Sequence, residues 1–185
     1  NPPGGYHNAE GLSASDVSIS QATEMSINTA YVQLEERVGI PAIAASAKRL
    51  GITSIGKPGT ASYPGKKEGT FALGVRDVSV TDMAGAYAAI AAHGRWCPPT
   101  LVKSVTLPNG KVINNPVAER CHQAVDPAVA DTAASVLKGV IDSGTGKPAA
   151  LPDRPAAGKT GTGEDNGSAW FAGFTPQLAA AVWTG

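Results

Sequence analysis

The sequence predicts an α+β fold in which capped helices come first and an antiparallel sheet ends the chain. Apolar residues recur at helical spacing behind recognisable N-caps, whereas short apolar runs separated by turns fill the last quarter. Of the 185 residues 42% are hydrophobic, which is enough for a core, and we expect one domain spanning 1–185. The 22 glycines and 14 prolines cluster between elements, so many loops are expected.

Start and stop signals predict five helices. Their expected limits, in chain order, are Ser18 to Met25, Ile27 to Gly39, Pro41 to Leu50, Ser79 to Gly94 and Asp126 to Gly144. The first opens on a capping box at Ser18, and the fifth places Pro127 directly after its Asp126 cap. Apolar spacing predicts a buried stripe on each of three helices, formed by Ile27, Tyr31, Leu34 and Val38, by Ala84, Tyr87, Ala88 and Ala91, and by Val129, Ala133, Val136, Leu137 and Val140.

Asn-Gly pairs predict two hairpins. The first turns at Asn109-Gly110, and the second turns at Asn166-Gly167. With a two-residue turn, the second hairpin would pair Gly161 with Ala172 across the strands. A further strand after Pro176 completes a three-stranded antiparallel sheet at the end of the chain.

Charge and composition exclude several functions. The 15 basic and 15 acidic residues cancel, so no overall field favours nucleic acid or an anionic membrane. His7, His93 and His122 lack metal-ligand spacing, and 144–147 lacks residues that a phosphate loop requires, so we expect no metal and no cofactor. No apolar run approaches the ~20 residues of a membrane span, and we expect any export signal or anchor to lie outside this chain.

Two tripeptides carry candidate chemistry. Lys159-Thr160-Gly161 lies on the first strand of the final sheet, where it offers a cation, a hydroxyl and a position at which a peptide backbone can approach closely. Ser26-Ile27-Asn28 lies at a helix junction, with a hydroxyl that can relay protons and an amide that can hold a peptide group. The plain structural alternatives are an edge strand ending in a glycine-rich turn and a helix cap.

Together and in this order, the tripeptides match two of the three signatures of serine acyl-transferases of the β-lactamase and penicillin-binding group. Longer stretches agree, among them 26–34, 72–75, 80–84 and 143–146. From Ser18 to Gly185 the chain resembles the transpeptidase domain of penicillin-binding proteins, most closely the bifunctional class A kind. The resemblance implies a β-lactamase/transpeptidase-like fold, with helices packed on an antiparallel sheet and a helical subdomain.

The resemblance also implies a role for each residue. Ser26 would relay a proton, and Asn28 would hold the acyl-side amide of the substrate. Lys159 and Thr160 would bind the terminal carboxylate of D-Ala-D-Ala or of a β-lactam, while the backbone N–H of Thr162 would form half of an oxyanion hole. The expected partners are therefore peptidoglycan stem peptides and β-lactam antibiotics, and nucleic acid is not among them.

The third signature, Ser-x-x-Lys, holds the nucleophile and its base, and it is absent from the residues before Ser26. Two later matches are poor substitutes, because 54–57 lies between Gly51 and Pro58 and because 135–138 faces solvent on the fifth helix. The chain also ends on an expected strand. We therefore expect a partial domain, incomplete at both ends and inactive alone, whose nucleophile lies on an N-terminal part of the same protein.

Two other functions remain open at this point. A non-catalytic module could bind stem peptide or β-lactam without turnover, and a serine β-lactamase is a less favoured alternative. A protein of the implied family would act on the extracytoplasmic face of the bacterial membrane, anchored by a segment outside this chain.

Cys97 and Cys121 are the only two cysteines. A hairpin turning at Asn109-Gly110 places them nearly opposite each other, which favours a disulfide. Prolines at 98, 99 and 116 interrupt the strands, so two free thiols are the alternative. An oxidising compartment would favour the bridge.

Overall fold

The structure, a computed structural model, describes residues 8, 16–56, 60, 64, 70–115, 120–163 and 167–185. The α-helices are α1 (Ile19–Glu24), α2 (Asn28–Val38), α3 (Ile40–Arg49), α4 (Val80–Ala91) and α5 (Pro127–Asp142). The strands are β1 (Arg95–Trp96), β2 (Ser104–Thr106), β3 (Val112–Asn114), β4 (His122–Gln123), β5 (Ala157–Thr162), β6 (Ala169–Phe174) and β7 (Ala179–Thr184). Single 3₁₀ turns cover Phe71–Leu73 and Lys147–Ala149.

The helix signals in the sequence are confirmed. Ser18 and Gln21 form the predicted capping box of α1. Ser79 caps α4 by accepting the amide of Asp82 at 3.0 Å, and Asp126 caps α5 by accepting the amide of Ala128 at 2.9 Å. Local side-chain bonds to orphan amides are thus strong enough to fix where these helices begin.

The buried faces of three helices were predicted only in part. Val38 is 50% exposed, Val129 is 59% exposed and Ala88 is exposed. Ile27 and Val140 are buried as predicted, whereas the other buried residues were not predicted: Val32 and Glu35 in α2, Ala86 and Ala89 in α4, and Ala130 and Ile141 in α5. Because three of these are alanines and one is a glutamate, the spacing of the larger apolar side chains did not reveal the whole buried face.

The final sheet is antiparallel with the order β5-β6-β7, as predicted. Its register is not the predicted one, because Gly161 pairs with Trp170 and Lys159 pairs with Ala172. The amide of Gly163 bonds the carbonyl of Ser168 at 2.8 Å, which leaves four residues in the connection instead of two. The longer connection moves every cross-strand pair by two positions and leaves the two faces of β5 unchanged.

The first hairpin also has a longer loop than predicted. Leu107 bonds Lys111 across three residues, and Gly110 has a left-handed φ of 79°. Both β2–β3 and β1–β4 are antiparallel and follow the same register. That register places Cys97 directly opposite Cys121, and the two form a disulfide, so the alternative of two free thiols does not hold.

Packing brings the candidate motifs together. Helix α5 packs against both α1 and β5, while α4 packs against β6 and β7. Val140 and Ile141 of α5 are buried in this arrangement. The end of α1, which precedes Ser26, is therefore held beside the strand that carries Lys159. Within the described ranges, no helix has the length and hydrophobicity to cross a bilayer.

Candidate active site

Ser26 occupies a strained turn between α1 and α2. Its φ is 57°, in a left-handed region that costs a non-glycine residue about 1 kcal/mol. The turn is closed by the amide of Ile27, which donates to the carbonyl of Ala22 at 2.8 Å. Ile27 is the N-cap of α2 and its own side chain makes no cap, while the amide of Thr29 in the first turn donates to the side-chain oxygen of Asn8 at 3.0 Å. The helix-cap alternative for Ser26 and Asn28 is therefore wrong, and the turn presents the Ser26 hydroxyl instead.

Lys159 reaches this turn from β5. Its Nζ donates to the Oγ of Ser26 at 2.9 Å and to the backbone carbonyl of Thr160 at 3.0 Å. A lysine ammonium can only donate, so Ser26 accepts this bond and keeps its own hydrogen for another acceptor. The two motifs, separated by 133 residues in the chain, thus form one cluster.

Burial lowers the pKa of Lys159 from its ordinary value, because the charged form loses solvent. Among the described residues no carboxylate lies within ion-pair distance of this ammonium group, whose acceptors are the Ser26 hydroxyl, the Thr160 carbonyl and, at 3.5 Å, the Thr160 hydroxyl. A partly desolvated cation without a neighbouring anion attracts an anionic ligand strongly. This electrostatic arrangement suits a carboxylate.

The side chain of Thr160 is hydrogen-bonded to that of Thr145. The two hydroxyl oxygens are 2.7 Å apart, and either can donate. Thr145 itself follows the end of α5, and its amide donates to the carbonyl of Glu24 at 3.0 Å. The loop after α5 therefore touches both the end of α1 and the Lys159-Thr160-Gly161 strand.

Thr162 and Gly161 extend the cluster along β5. Hydrogen bonding alternates along an antiparallel strand, and Gly163 bonds Ser168, so the backbone groups of Thr160 and Thr162 point away from β6. The carbonyl of Thr160 accepts the Lys159 bond on that side. At Gly161 a Cβ would lie 3.1 Å from the Cβ of Trp170, so cross-strand crowding is one reason for glycine there.

A cleft of about 620 Å³ runs beside β5, and its lining includes 159–163 consecutively. Residues 73–80 form the facing wall. That wall is tied to α2, because the carboxylate of Glu35, only 3% exposed, accepts the amide of Ala72 at 2.6 Å. Of the described site residues, Ser26 and Asn28 lie outside the cleft lining, and the hydrogen bond from Lys159 links Ser26 to the cleft.

Asn28 is the first residue of α2, two positions beyond Ser26.

The two later Ser-x-x-Lys matches do not place a serine beside a buried lysine in the described residues. Ser54 is exposed in a bend, and Lys57 lies outside the described residues. Ser135 is exposed on α5, and Lys138 is half exposed and paired with Asp142.

Sequence reasoning gave no role to two residues that shape the site. Thr145 lies in a stretch that supports the family resemblance and lacks the residues of a phosphate loop, and its contact with Thr160 joins segments 15 residues apart. Glu35 lay among polar residues of α2, where nothing in the spacing signals burial. Both act through single hydrogen bonds to a distant segment, which no local pattern reveals.

Comparison with known proteins places this arrangement in a family. The sequence model described as "Penicillin binding protein transpeptidase domain" matches residues 3–185. Penicillin-binding protein 1A of Mycobacterium tuberculosis is 35% identical over 96% of the chain and 23% of that protein. Penicillin-binding protein 1A of Clostridium acetobutylicum is 34% identical over 97% of the chain and 22% of that protein. The chain thus spans less than a quarter of the length of these relatives.

Solved structures agree with the sequence comparison. The PonA1 protein of Mycobacterium tuberculosis in complex with penicillin V superimposes with a TM-score of 0.82 and 33% identity, over 95% of this chain and 49% of that one. Penicillin-binding protein A of the same organism, as an imipenem acyl-enzyme complex, gives a TM-score of 0.80 and 28% identity over 98% and 46%. The fold is therefore β-lactamase/transpeptidase-like, and the chain belongs to the penicillin-binding protein transpeptidase family, of the class A type.

Proposed function

We propose that this chain forms the carboxylate- and amide-binding part of a serine D,D-transpeptidase that acylates on D-Ala-D-Ala stem peptides, cross-links peptidoglycan and is trapped by β-lactams. The observation that carries the proposal is the 2.9 Å hydrogen bond between Lys159 and Ser26. It joins the two tripeptides into one cationic, hydroxyl-bearing cluster beside the β5 edge. Family membership supplies the reaction class.

Each residue would act through the chemistry of its side chain. Lys159 and the Thr160 hydroxyl would bind the substrate carboxylate, and Asn28 would hold the acyl-side amide. The backbone N–H of Thr162 points away from β6 and would stabilise the oxyanion, a contribution commonly worth ~10²–10³ in rate. Gly161 would let the substrate backbone approach β5.

Acylation needs a serine hydroxyl and a base, which we assign to a Ser-x-x-Lys segment joined to this chain in the same protein. The serine oxygen attacks the penultimate carbonyl, the C–N bond to the terminal D-alanine breaks, and the serine proton passes through the base and Ser26 to the leaving amine. Ser26 is suited to this relay because it accepts from Lys159 and keeps its own hydrogen available. A neighbouring stem's amine then attacks the acyl carbon, the ester C–O bond breaks as the new amide bond forms, and the amine's proton returns through Ser26 and the base to the serine oxygen.

The location we propose is the extracytoplasmic face of the bacterial membrane. The Cys97–Cys121 disulfide supports it, because such bonds persist in oxidising compartments. Binding of stem peptide without turnover is the second candidate, favoured by the direction of the Lys159–Ser26 bond, because Ser26 accepts from a protonated lysine that cannot act as its base.

The test is Lys159→Ala in the full-length protein, with Lys138→Ala as the matched control on the exposed face of α5. Loss of a charge-assisted bond should lower the second-order rate of acylation by a carboxylate-bearing penicillin about tenfold to a hundredfold. The control should react like the wild type. Equal rates for Lys159→Ala and the wild type would remove the carboxylate-binding role.

A further inference from the structure

Thr145 is held in place by its own backbone. Its amide donates to the carbonyl of Glu24 at 3.0 Å, and the neighbouring Ser143 hydroxyl donates to the Glu24 carboxylate at 3.2 Å. At Gly144 a Cβ would lie 2.4 Å from the Glu24 carbonyl oxygen, so the loop lies as close to the end of α1 as a glycine allows. The loop is therefore fixed to the helix end that leads into Ser26.

From this fixed position the Thr145 hydroxyl contacts Thr160, one of the two residues proposed to bind the ligand carboxylate. Its oxygen is 2.7 Å from the Thr160 hydroxyl oxygen, a normal distance for a strong O–H···O bond. Thr145 is exposed and Thr160 is half buried. Thr160 lines the cleft beside β5 and Thr145 does not, so Thr145 contacts this ligand-binding residue from outside the cleft.

The direction of this bond follows from counting donors and acceptors. A hydroxyl has one hydrogen and two lone pairs, whereas a carboxylate can only accept. To bind a carboxylate, Thr160 must give it its only hydrogen, so the 2.7 Å bond must then be donated by Thr145. The Nζ of Lys159, at 3.5 Å, lies at the limit for a weak second donor to the same oxygen.

We propose that Thr145 is a positioning residue for acylation: its hydroxyl donates to Thr160 and thereby directs the Thr160 hydrogen towards the carboxylate of the bound ligand. The role rests on the proposed function of the Lys159-Thr160-Gly161 strand. Without Thr145, the Thr160 hydroxyl is free to rotate, so binding of the carboxylate must fix its orientation and loses conformational entropy. Donation from Thr145 also polarises the Thr160 hydroxyl and strengthens its bond to the anion.

The test compares two penicillins, one with its free carboxylate and one as the methyl ester, on the full-length protein. Thr145→Val removes the hydroxyl at nearly constant volume, Thr145→Ser keeps it, and Thr132→Val is a matched control, since Thr132 is exposed on α5 and bonds the Ala128 carbonyl. We expect Thr145→Val to lower the acid-to-ester ratio of acylation rates about fivefold to tenfold. Thr145→Ser and Thr132→Val should keep the wild-type ratio.

The ratio is measured within one preparation, so a change in the folded fraction cancels. In a Thr160→Val background, where no Thr160 hydroxyl remains, Thr145→Val should cause no further change in the ratio. An equal slowing of both penicillins, or a full effect that persists without the Thr160 hydroxyl, would overturn the proposal. Failure of the proposed function itself is distinguishable, because Lys159→Ala would then leave the ratio unchanged.

Discussion

The ammonium nitrogen of Lys159 donates a hydrogen bond of 2.9 Å to the hydroxyl oxygen of Ser26, across 133 residues of sequence. One partner lies in a left-handed turn between two helices, and the other lies on the first strand of the final sheet. Helix α5 brings Ser26 and Lys159 together, because it packs against both α1 and β5. The loop after α5 then adds Thr145 to the same cluster.

We expect Lys159 to titrate below the ordinary lysine value of about 10.4. Burial lowers its pKa, so between the lowered value and ~10.4 the unfolded chain binds more protons than the folded chain. The contribution of Lys159 to the free energy of unfolding therefore rises with pH within that window. An NMR titration of the lysine Cε signals, assigned with Lys159→Met, measures the pKa directly. A value at or above that of a free lysine would show that the ammonium is not desolvated.

Gly144→Ala should destabilise the protein by about 1–3 kcal/mol, because the new Cβ must push the loop away from the Glu24 carbonyl. Denaturant unfolding of the 185-residue chain provides the measurement. Ser143→Ala is the control, since it removes an exposed hydroxyl that can donate either to the Glu24 carboxylate or to the Gly139 carbonyl, inserts no new atom and should cost less. If the two variants unfold alike, the loop is not held tightly against α1.

Helix starts were predictable because their causes are local. The Ser18 capping box and the Asp126 cap each need only a few neighbouring residues, and the structure contains both. Register was less predictable, because it depends on loop length. The Asn-Gly pairs were assumed to form two-residue turns, whereas Gly163 and Ser168 enclose four residues.

The site was predictable only in part, for a related reason. Motif order and family resemblance singled out Ser26 and Lys159, and the structure brings them together. Thr145 and Glu35 act through partners on distant segments, Thr160 and Ala72 respectively. Spacing along one helix or loop carries no information about such contacts, so these residues were found only in three dimensions.

The Cys97–Cys121 disulfide should contribute about 3 kcal/mol to stability, because it closes a loop with a sequence separation of 24 residues. Replacing both cysteines by alanine should lower the free energy of unfolding by that amount. Non-reducing peptide mapping of protein from an oxidising compartment should recover the two peptides joined. Recovery of both thiols free would contradict the assignment.

The most direct test of the account is labelling with a tagged penicillin, followed by mass spectrometry of the acylated peptide. The 185-residue chain alone should form no covalent adduct, because Ser54 and Ser135 are exposed and because Ser26 accepts its hydrogen bond from the Lys159 ammonium, a charged donor that cannot serve as its base. The same chain joined to a Ser-x-x-Lys segment of its own protein should be labelled stoichiometrically on that serine. A stoichiometric adduct on any serine within the 185 residues would contradict the claim that this chain supplies the binding half of the site and not its nucleophile.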